Sequence, residues 1–487
     1  MADLDQDLIS IQEARNLASR AFIAWTEWSK ASQQDVDRVC AAMAAAAFNA
    51  ADRLAQLAHD ETGFGHASHK RLKNEFAAQN VWQSIRDVKT VGVIQHDVEK
   101  KLYQIAWPMG VVAGLTPSTN PTSTVIYKIL IAVKARDAIV IAPHPSAAQC
   151  SYEAAMLMAK AAEENGAPQG LVSCMRNVSL AGTQELMNHK YVALILATGG
   201  TPMVRAAHST GKPAIGVGPG NVPAYVDRSA DLEKAARYIT ASKAFDCSTI
   251  CATEQAVVAD KPIARALQQL MEKEGAFFTD ENQTNLLRQL LFTQEGAMVS
   301  STVGKPAQYL AALAGFDTPP GTRVLVTRLK RVGKEEALSR EKLTTVLGWY
   351  EEEGWEAGCE RCIELIQFGG RGHSLVIHAT DEKVIMAFGL EKPVFRIAVN
   401  TMSSLGAIGL TTGVYPSLTL GAGGVGGSIT GDNVTVHHLF NIKRLAYETT
   451  SPPPAALAPA NSTTGASTHE VEQAVWNVVQ EILKLQI

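Results

Sequence analysis

The sequence predicts an α/β protein made of two doubly wound domains and a β arm for oligomerisation. Two observations carry this. Apolar strands alternate with helices at the spacing of a parallel sheet, in two successive blocks, and turn-forming residues close those strands where such sheets bind ligands. The 487 residues allow two or three domains with sizeable cores. A composition of 46% hydrophobic and 19% charged residues is that of a folded globular chain. A net charge of -4 argues against nucleic acid or an anionic membrane as partner. No apolar run reaches the roughly 18 residues of a bilayer span, and the acidic opening Met1 to Asp7 does not suit a signal peptide. Seven cysteines are too few for a disulfide framework and suit a reducing, cytoplasmic setting.

Residues 8–90 read as helices: Ile9, Ala14, Ala18 and Phe22 recur at helical spacing, and the Ala-rich run from Val39 to Leu57 continues the pattern. Gln95 to Trp107 alternates weakly and reads as one exposed arm strand. A strand is predicted at Gly110–Leu115, followed by the turn T-P-S-T-N-P-T-S-T (116–124) and a helix to about Lys134. Next come a strand at Ala138–Ala142, the turn Pro143-His144-Pro145 and a helix at Tyr152–Glu164. Further strands at Gly170–Met175 and Val192–Ala197 follow, the second running into Thr198-Gly199-Gly200. No G-x-G-x-x-G follows a strand, so these turns are the candidate phosphate and ribose cradle. From 229 the pattern repeats: a helix at Leu232–Phe245, a strand at Gln255–Ala259, a helix at Ile263–Glu274 and strands at Leu375–His378 and Arg396–Val399. Gly421–Gly427 reads as a permissive loop and His437–Tyr447 as a closing strand. The expected domains are 1–228 (nucleotide-binding, arm near 95–107), 229–420 (catalytic thiol) and 421–450 (return to the first domain and oligomerisation strand). Residues 451–467 have linker composition. In 468–487, Val471, Val475, Val478, Val479, Ile482 and Leu485 mark one face of an amphipathic docking helix, and Ser467 and Glu470 have capping-box spacing.

The centre of the chain is F-D-C-S-T-I-C-A-T-E-Q (245–255). With T-P-S-T-N-P-T-S-T, A-P-H-P (142–145), G-V-G-P-G-N-V-P (216–223), G-G-R-G-H-S (369–374), N-T-M-S-S (400–404) and P-S-L-T-L-G-A-G-G-V-G-G (416–427), it resembles the CoA-acylating branch of the aldehyde dehydrogenase superfamily. The resemblance covers roughly residues 5–448 and implies an aldehyde dehydrogenase-like fold. It implies Cys251 as nucleophile, Asn120 as oxyanion donor and His373 as a proton-transfer residue. The cofactor would lie on Thr116, Pro117, Ser118, Thr119, His144, Pro145, Thr198, Gly199, Gly200, Gly216, Val217 and Gly218. NAD is expected, with NADP left open because His144 stands where hydrolytic relatives carry a lysine. CoA is the expected co-substrate and acetaldehyde or propionaldehyde the expected substrate, in a homodimer or homotetramer.

Hydrolytic members activate water with a glutamate in Glu-Leu-Gly-Gly. Here that place reads Gly216-Val217-Gly218-Pro219, and no Asp or Glu occurs between Glu185 and Asp227. A thiol ionises far more readily than water, so losing that base favours CoA as acceptor. Cys247 reads as a structural or redox neighbour. Cys359 and Cys362 share a helical face without the second pair a zinc site needs, so no metal is expected. The tail resembles the encapsulation peptides of bacterial microcompartment enzymes, which implies a lumen location and shell or lumen proteins as partners. The alternatives are a sulfoacetaldehyde dehydrogenase, a hydrolytic dehydrogenase and a mainly structural docking protein.

Overall fold

The computed structural model describes residues 5–457 and 467–484. The chain divides into two compact units, Met1–Ile94 with Ala106–Lys443 and Gln95–Ile105 with Arg444–Ile487.

Strands β1 (Gly92–Asp97) and β2 (Leu102–Pro108) open the strand sequence. Then come β3 (Val111–Thr116), β4 (Ala138–Pro143), β5 (Val172–Cys174), β6 (Val192–Thr198) and β7 (Ala214–Val217). After them lie β8 (Val222–Val226), β9 (Glu254–Asp260), β10 (Ala276–Phe278) and β11 (Val324–Arg328). The series ends with β12 (Val346–Glu352), β13 (Leu375–His378), β14 (Ile397–Val399) and β15 (Phe440–Ala446).

A five-stranded sheet runs β5-β4-β3-β6-β7, with every pair parallel. The chain winds outward from β3 to β5 and then returns to start again at β6. The order therefore reverses between β3 and β6, and a crevice opens at the carboxyl ends of those two strands. A seven-stranded sheet runs β10-β11-β12-β9-β8-β13-β14 and is parallel throughout. The third sheet is β1-β2-β15.

Four expectations shift. Gln95 to Trp107 is not one strand: Lys101, with φ 46°, turns the chain between β1 and β2. Tyr103 then stacks on His96 with ring centroids 3.9 Å apart. The expected domain edge at 228 falls one strand late, because β8 pairs with β9 and β13 in the seven-stranded sheet. Both parallel sheets are buried on two faces, so V-P-A-Y-V carries no mark of which one it joins. The return to the first core begins before 421, since Ala407, Ile408, Leu418 and Leu420 are already packed there, and the Tyr127 hydroxyl donates to Val434 O at 2.6 Å. Finally, β10 to β12 and the helices between 281 and 314 lie where the sequence pattern indicated nothing, while the helix Gly354–Gly369 carries the Cys359–Cys362 face.

Helix Thr468–Lys484 forms with the reciprocal cap its sequence indicates. Glu470 N donates to Ser467 Oγ at 3.3 Å and Ser467 N to Glu470 Oε2 at 2.7 Å. Val471, Val475, Val478 and Trp476 are exposed. Residues 458–466 of the expected linker, Leu485 of the expected apolar face and residues 1–4 of the acidic opening lie outside the described residues.

Candidate active site

Helix Leu232–Ala244 ends at a turn of unusual backbone. Asp246, Cys247 and Ser248 have φ of 47°, 50° and 64°, three successive non-glycine residues in the left-handed region. Each costs roughly 1–2 kcal/mol, so surrounding contacts must hold them. The buried Asp246 carboxylate accepts from Lys73 Nζ, from Lys70 Nζ at 3.2 Å, from Thr249 Oγ1 at 2.7 Å and from His66 N at 2.8 Å. Its own backbone N–H donates to His69 Nδ1 at 2.8 Å. Both lysines lie on the helix Ala67–Glu75, three residues apart and so on one face. Gly65 is required beside them, because a Cβ there would stand 1.9 Å from Asp246 Oδ1. Burial raises the Asp246 carboxyl, but Lys73 and Lys70 outweigh it and hold it at about 2. On the other side Lys243 Nζ donates to Ser248 Oγ and Gln255 Oε1, both at 3.0 Å.

This clamp delivers Cys251 to the wall of a cleft of about 220 Å³ at the sheet switch point. Burial pushes the Cys251 thiol up to about 12; the charge of Glu341 adds to the shift and Arg396 opposes it. Asn120 stands at the start of helix Pro121–Lys134, whose residues are all buried, but its side chain does not cap that helix. Instead Oδ1 accepts from Lys73 Nζ, while Nδ2 donates to Thr249 O at 2.9 Å and Thr119 Oγ1 at 3.2 Å. The helix N-terminus adds positive potential on the same side.

The opposite wall is made of strand ends. Pro117 to Thr119 follow β3, His144 follows β4, Thr198 to Gly200 end β6, and Val217 to Pro219 end β7. Thr198 Oγ1 pairs with Thr419 Oγ1 at 2.9 Å, which ties the turn to the returning segment. Leu418, Leu420, Ile250, Leu343 and Ile408 supply apolar lining. Glu341 is the only carboxylate among the described lining residues, and no lysine or arginine is among them.

Of the residues expected from sequence, Cys251, Asn120, Pro117, Ser118, Thr119, His144, Thr198, Gly199, Gly200, Val217 and Gly218 line this one cleft. Thr116 is buried as the last residue of β3, Pro145 faces solvent, and Gly216 lies inside β7 beneath Val204 and His208. His373 is not among the lining residues. It is 1% exposed behind Gly220, with Nδ1 against Ser374 Oγ at 3.0 Å and Nε2 without a partner. Burial, helped by Arg396, lowers it to about 3, so it is neutral near pH 7.

Glu341 was not legible. It lies 90 residues after Cys251 in sequence, in no motif, yet it faces the cleft and accepts from Gly220 N at 2.9 Å. Burial raises its carboxyl to about 7. The stretch between Glu185 and Asp227 does lack a carboxylate, but the cleft itself does not.

The model of the aldehyde dehydrogenase family matches residues 5–282, and the chain belongs to that family. Among solved structures, an acetylating aldehyde dehydrogenase from Geobacillus thermoglucosidasius is 49% identical with a TM-score of 0.91, covering 92% of this chain and 99% of that one. A succinate-semialdehyde dehydrogenase (acetylating) of Clostridium kluyveri is 34% identical over 90% of this chain and 96% of its own length. An aldehyde-alcohol dehydrogenase of Streptococcus pneumoniae is 44% identical over 82% of this chain but 46% of its own length, so the chain spans about half of that relative. Within the family, this is the CoA-acylating branch.

Proposed function

We propose that the chain oxidises a short aliphatic aldehyde, acetaldehyde or propionaldehyde, to its CoA thioester with NAD as hydride acceptor. The observation that carries this is the placement of Cys251 and Asn120 on one wall of a cleft whose other wall is the switch-point turns of a nucleotide-binding sheet. The turns suit a dinucleotide because they end parallel strands at the switch point, and Glu341 adds a carboxylate that could accept from ribose hydroxyls. A nicotinamide bound there supplies the hydride acceptor. Cys251, as thiolate, bonds to the aldehyde carbon, and the oxygen takes the electron pair facing Asn120 Nδ2 and the Cys251 N–H. Loss of hydride leaves the acyl group on Cys251. The CoA thiolate then bonds to that carbon, the bond to Cys251 breaks, and the thiolate is restored. His144, lowered from the ordinary imidazole value by burial, gives no fixed cation for a 2′-phosphate, which supports NAD.

The apolar lining without lysine or arginine favours an uncharged aldehyde over sulfoacetaldehyde. Arg396 does not alter this, because its guanidinium is engaged by Ser374 Oγ, Gly431 O, Asn433 Oδ1, His373 O and Gly421 O. For the tail, the exposed apolar residues of Thr468–Lys484 support docking to a microcompartment shell or lumen protein. Deleting residues 452–487 then leaves turnover intact and ends co-purification with shell proteins; retained co-purification sinks the docking role. The decisive assay is turnover of acetaldehyde, propionaldehyde and sulfoacetaldehyde with and without CoA, under NAD and NADP. Free acid formed without CoA, or a more than tenfold preference for sulfoacetaldehyde, overturns the proposal.

A further inference from the structure

We infer that Lys73 is a positioning residue for the reaction: it sets the Asn120 side-chain amide with its oxygen turned inward and its NH2 group turned toward the nucleophile's loop. The inference rests on the proposed role of Asn120 as oxyanion donor. A side-chain amide has two orientations related by a half-turn, and only one presents N–H groups to the reacting carbonyl. An unconstrained asparagine at the mouth of a helix would sample both.

The surroundings of Asn120 allow one. A lysine ammonium carries donors and no acceptor, and Lys73 Nζ is hydrogen-bonded to Asn120 Oδ1. On the far side of the amide, Nδ2 donates to Thr249 O at 2.9 Å. Turning the amide over would set NH2 against an ammonium and oxygen against a carbonyl oxygen, so both contacts become repulsive together. Lys73 is itself fixed, being 2% exposed and hydrogen-bonded to Asp246 Oδ2, with Thr249 Oγ1 at 3.4 Å. Thr249 Oγ1 returns a hydrogen bond to Asp246 Oδ2 at 2.7 Å. Lys73, Asn120, Thr249 and Asp246 thus form one connected network, and Thr249 stands two residues before Cys251. The donor and the nucleophile are oriented by the same group of contacts. Of the two Asn120 donors, the one facing Thr119 Oγ1 at 3.2 Å makes the longer bond, and Thr119 lines the cleft. That hydrogen is the one a developing oxyanion would recruit.

A general structural role for Lys73 makes a different prediction. Asp246 already has a second ammonium, Lys70 Nζ at 3.2 Å, whose other hydrogen bond goes to the Thr119 backbone oxygen at 3.3 Å and not to the Asn120 amide. Lys70 serves the carboxylate and the Thr119 carbonyl; Lys73 serves the carboxylate and the amide.

The experiment is a double-mutant cycle on the full chain, with kcat and the KM for NAD measured on acetaldehyde at saturating CoA, and melting temperatures recorded for every variant. Lys73→Met is expected to lower kcat by about tenfold or more, bounded by the ~10²–10³-fold loss typical of deleting an oxyanion donor. The KM for NAD should stay within about twofold, because Lys73 reaches the turn after β3 through the Asn120 side chain. In an Asn120→Ala background, Lys73→Met should add less than about threefold, since the group it orients is gone. Equal losses in both backgrounds, or no loss from Lys73→Met alone, overturn the inference while leaving Asn120 in its role. Full activity in Asn120→Ala overturns both. If Lys73→Met fails to fold because Asp246 is left with too little positive charge, the Lys73→Met/Asp246→Asn variant replaces it in the cycle. The same two outcomes then decide.

Discussion

The two walls of the cleft are built by different means. The thiol wall is defined by side chains: Asp246 sits among Lys70, Lys73 and Thr249, and Lys243 grips Ser248. These buried charges hold three left-handed residues and aim Cys251. The facing wall, where we propose the cofactor rests, is defined by backbone, in the turns that close β3, β4, β6 and β7. A wall made of side chains places atoms to fractions of an ångström and fails when one side chain is lost. A wall made of parallel strand ends presents backbone N–H groups, which side-chain substitutions other than proline leave in place.

The largest effect should come from the nucleophile. Cys251→Ala removes the proposed acyl carrier, and CoA-dependent NADH formation should fall by at least ~10³-fold. Cys247→Ala, four residues away, should change kcat by less than about twofold, because that 1% exposed thiol faces His66 Nε2 at 3.5 Å rather than the cleft. A large loss from Cys247→Ala would break the contrast between the two cysteines.

Next comes Asn120→Ala, expected to lower kcat by ~10²–10³-fold with little change in the KM for NAD. A rise in that KM matching the fall in kcat would show the two walls are not separable.

A smaller effect tests the electrostatics of the thiol. With its pKa pushed up to about 12, Cys251 is mostly protonated from pH 7 to 9. Iodoacetamide labelling should therefore rise about tenfold per pH unit across that window. Glu341 raises this pKa and its own carboxyl lies at about 7, so it is charged above that pH. Glu341→Gln should speed labelling several-fold at pH 8. Slower labelling would reverse the assigned sign.

The smallest effects belong to the cofactor wall. At Gly216 a Cβ would stand 2.6 Å from Val204 Cγ1 and 2.8 Å from His208 Nε2, so Gly216→Ala should shift the β7 turn and raise the KM for NAD several-fold. At Gly218 a Cβ meets nothing within 4 Å, so Gly218→Ala should be close to neutral. The reverse ranking would mean that the cofactor crosses Gly218 rather than resting on the turn beside it.

What could be read from the residues divides along the same line. Asn120, Cys251 and most of the turn residues were legible because each sits in a local motif at the end of a strand or the start of a helix. The clamp was not, because Lys70 and Asp246 are 176 residues apart and the lysines look like an ordinary charged helix surface. Glu341 stands 121 residues from the Gly220 N–H it accepts from. His373 was legible as a motif member, but its burial behind Gly220 was not. The β8 boundary was missed because a strand buried on both faces reads the same in either sheet.

The sequence by itself determined the alternation of strands and helices, the order of the turns, the cysteine at the centre and the cap of the terminal helix. These depend on residues within a few positions of one another, where periodicity, turn chemistry and capping act. Only the tertiary structure decided which sheet each strand joins, which carboxylate faces the cleft, which histidine stays out of it and which lysine orients the amide. Those outcomes depend on burial and on hydrogen bonds between residues far apart in the chain, and a buried charge acquires its partner only when the fold brings the two together.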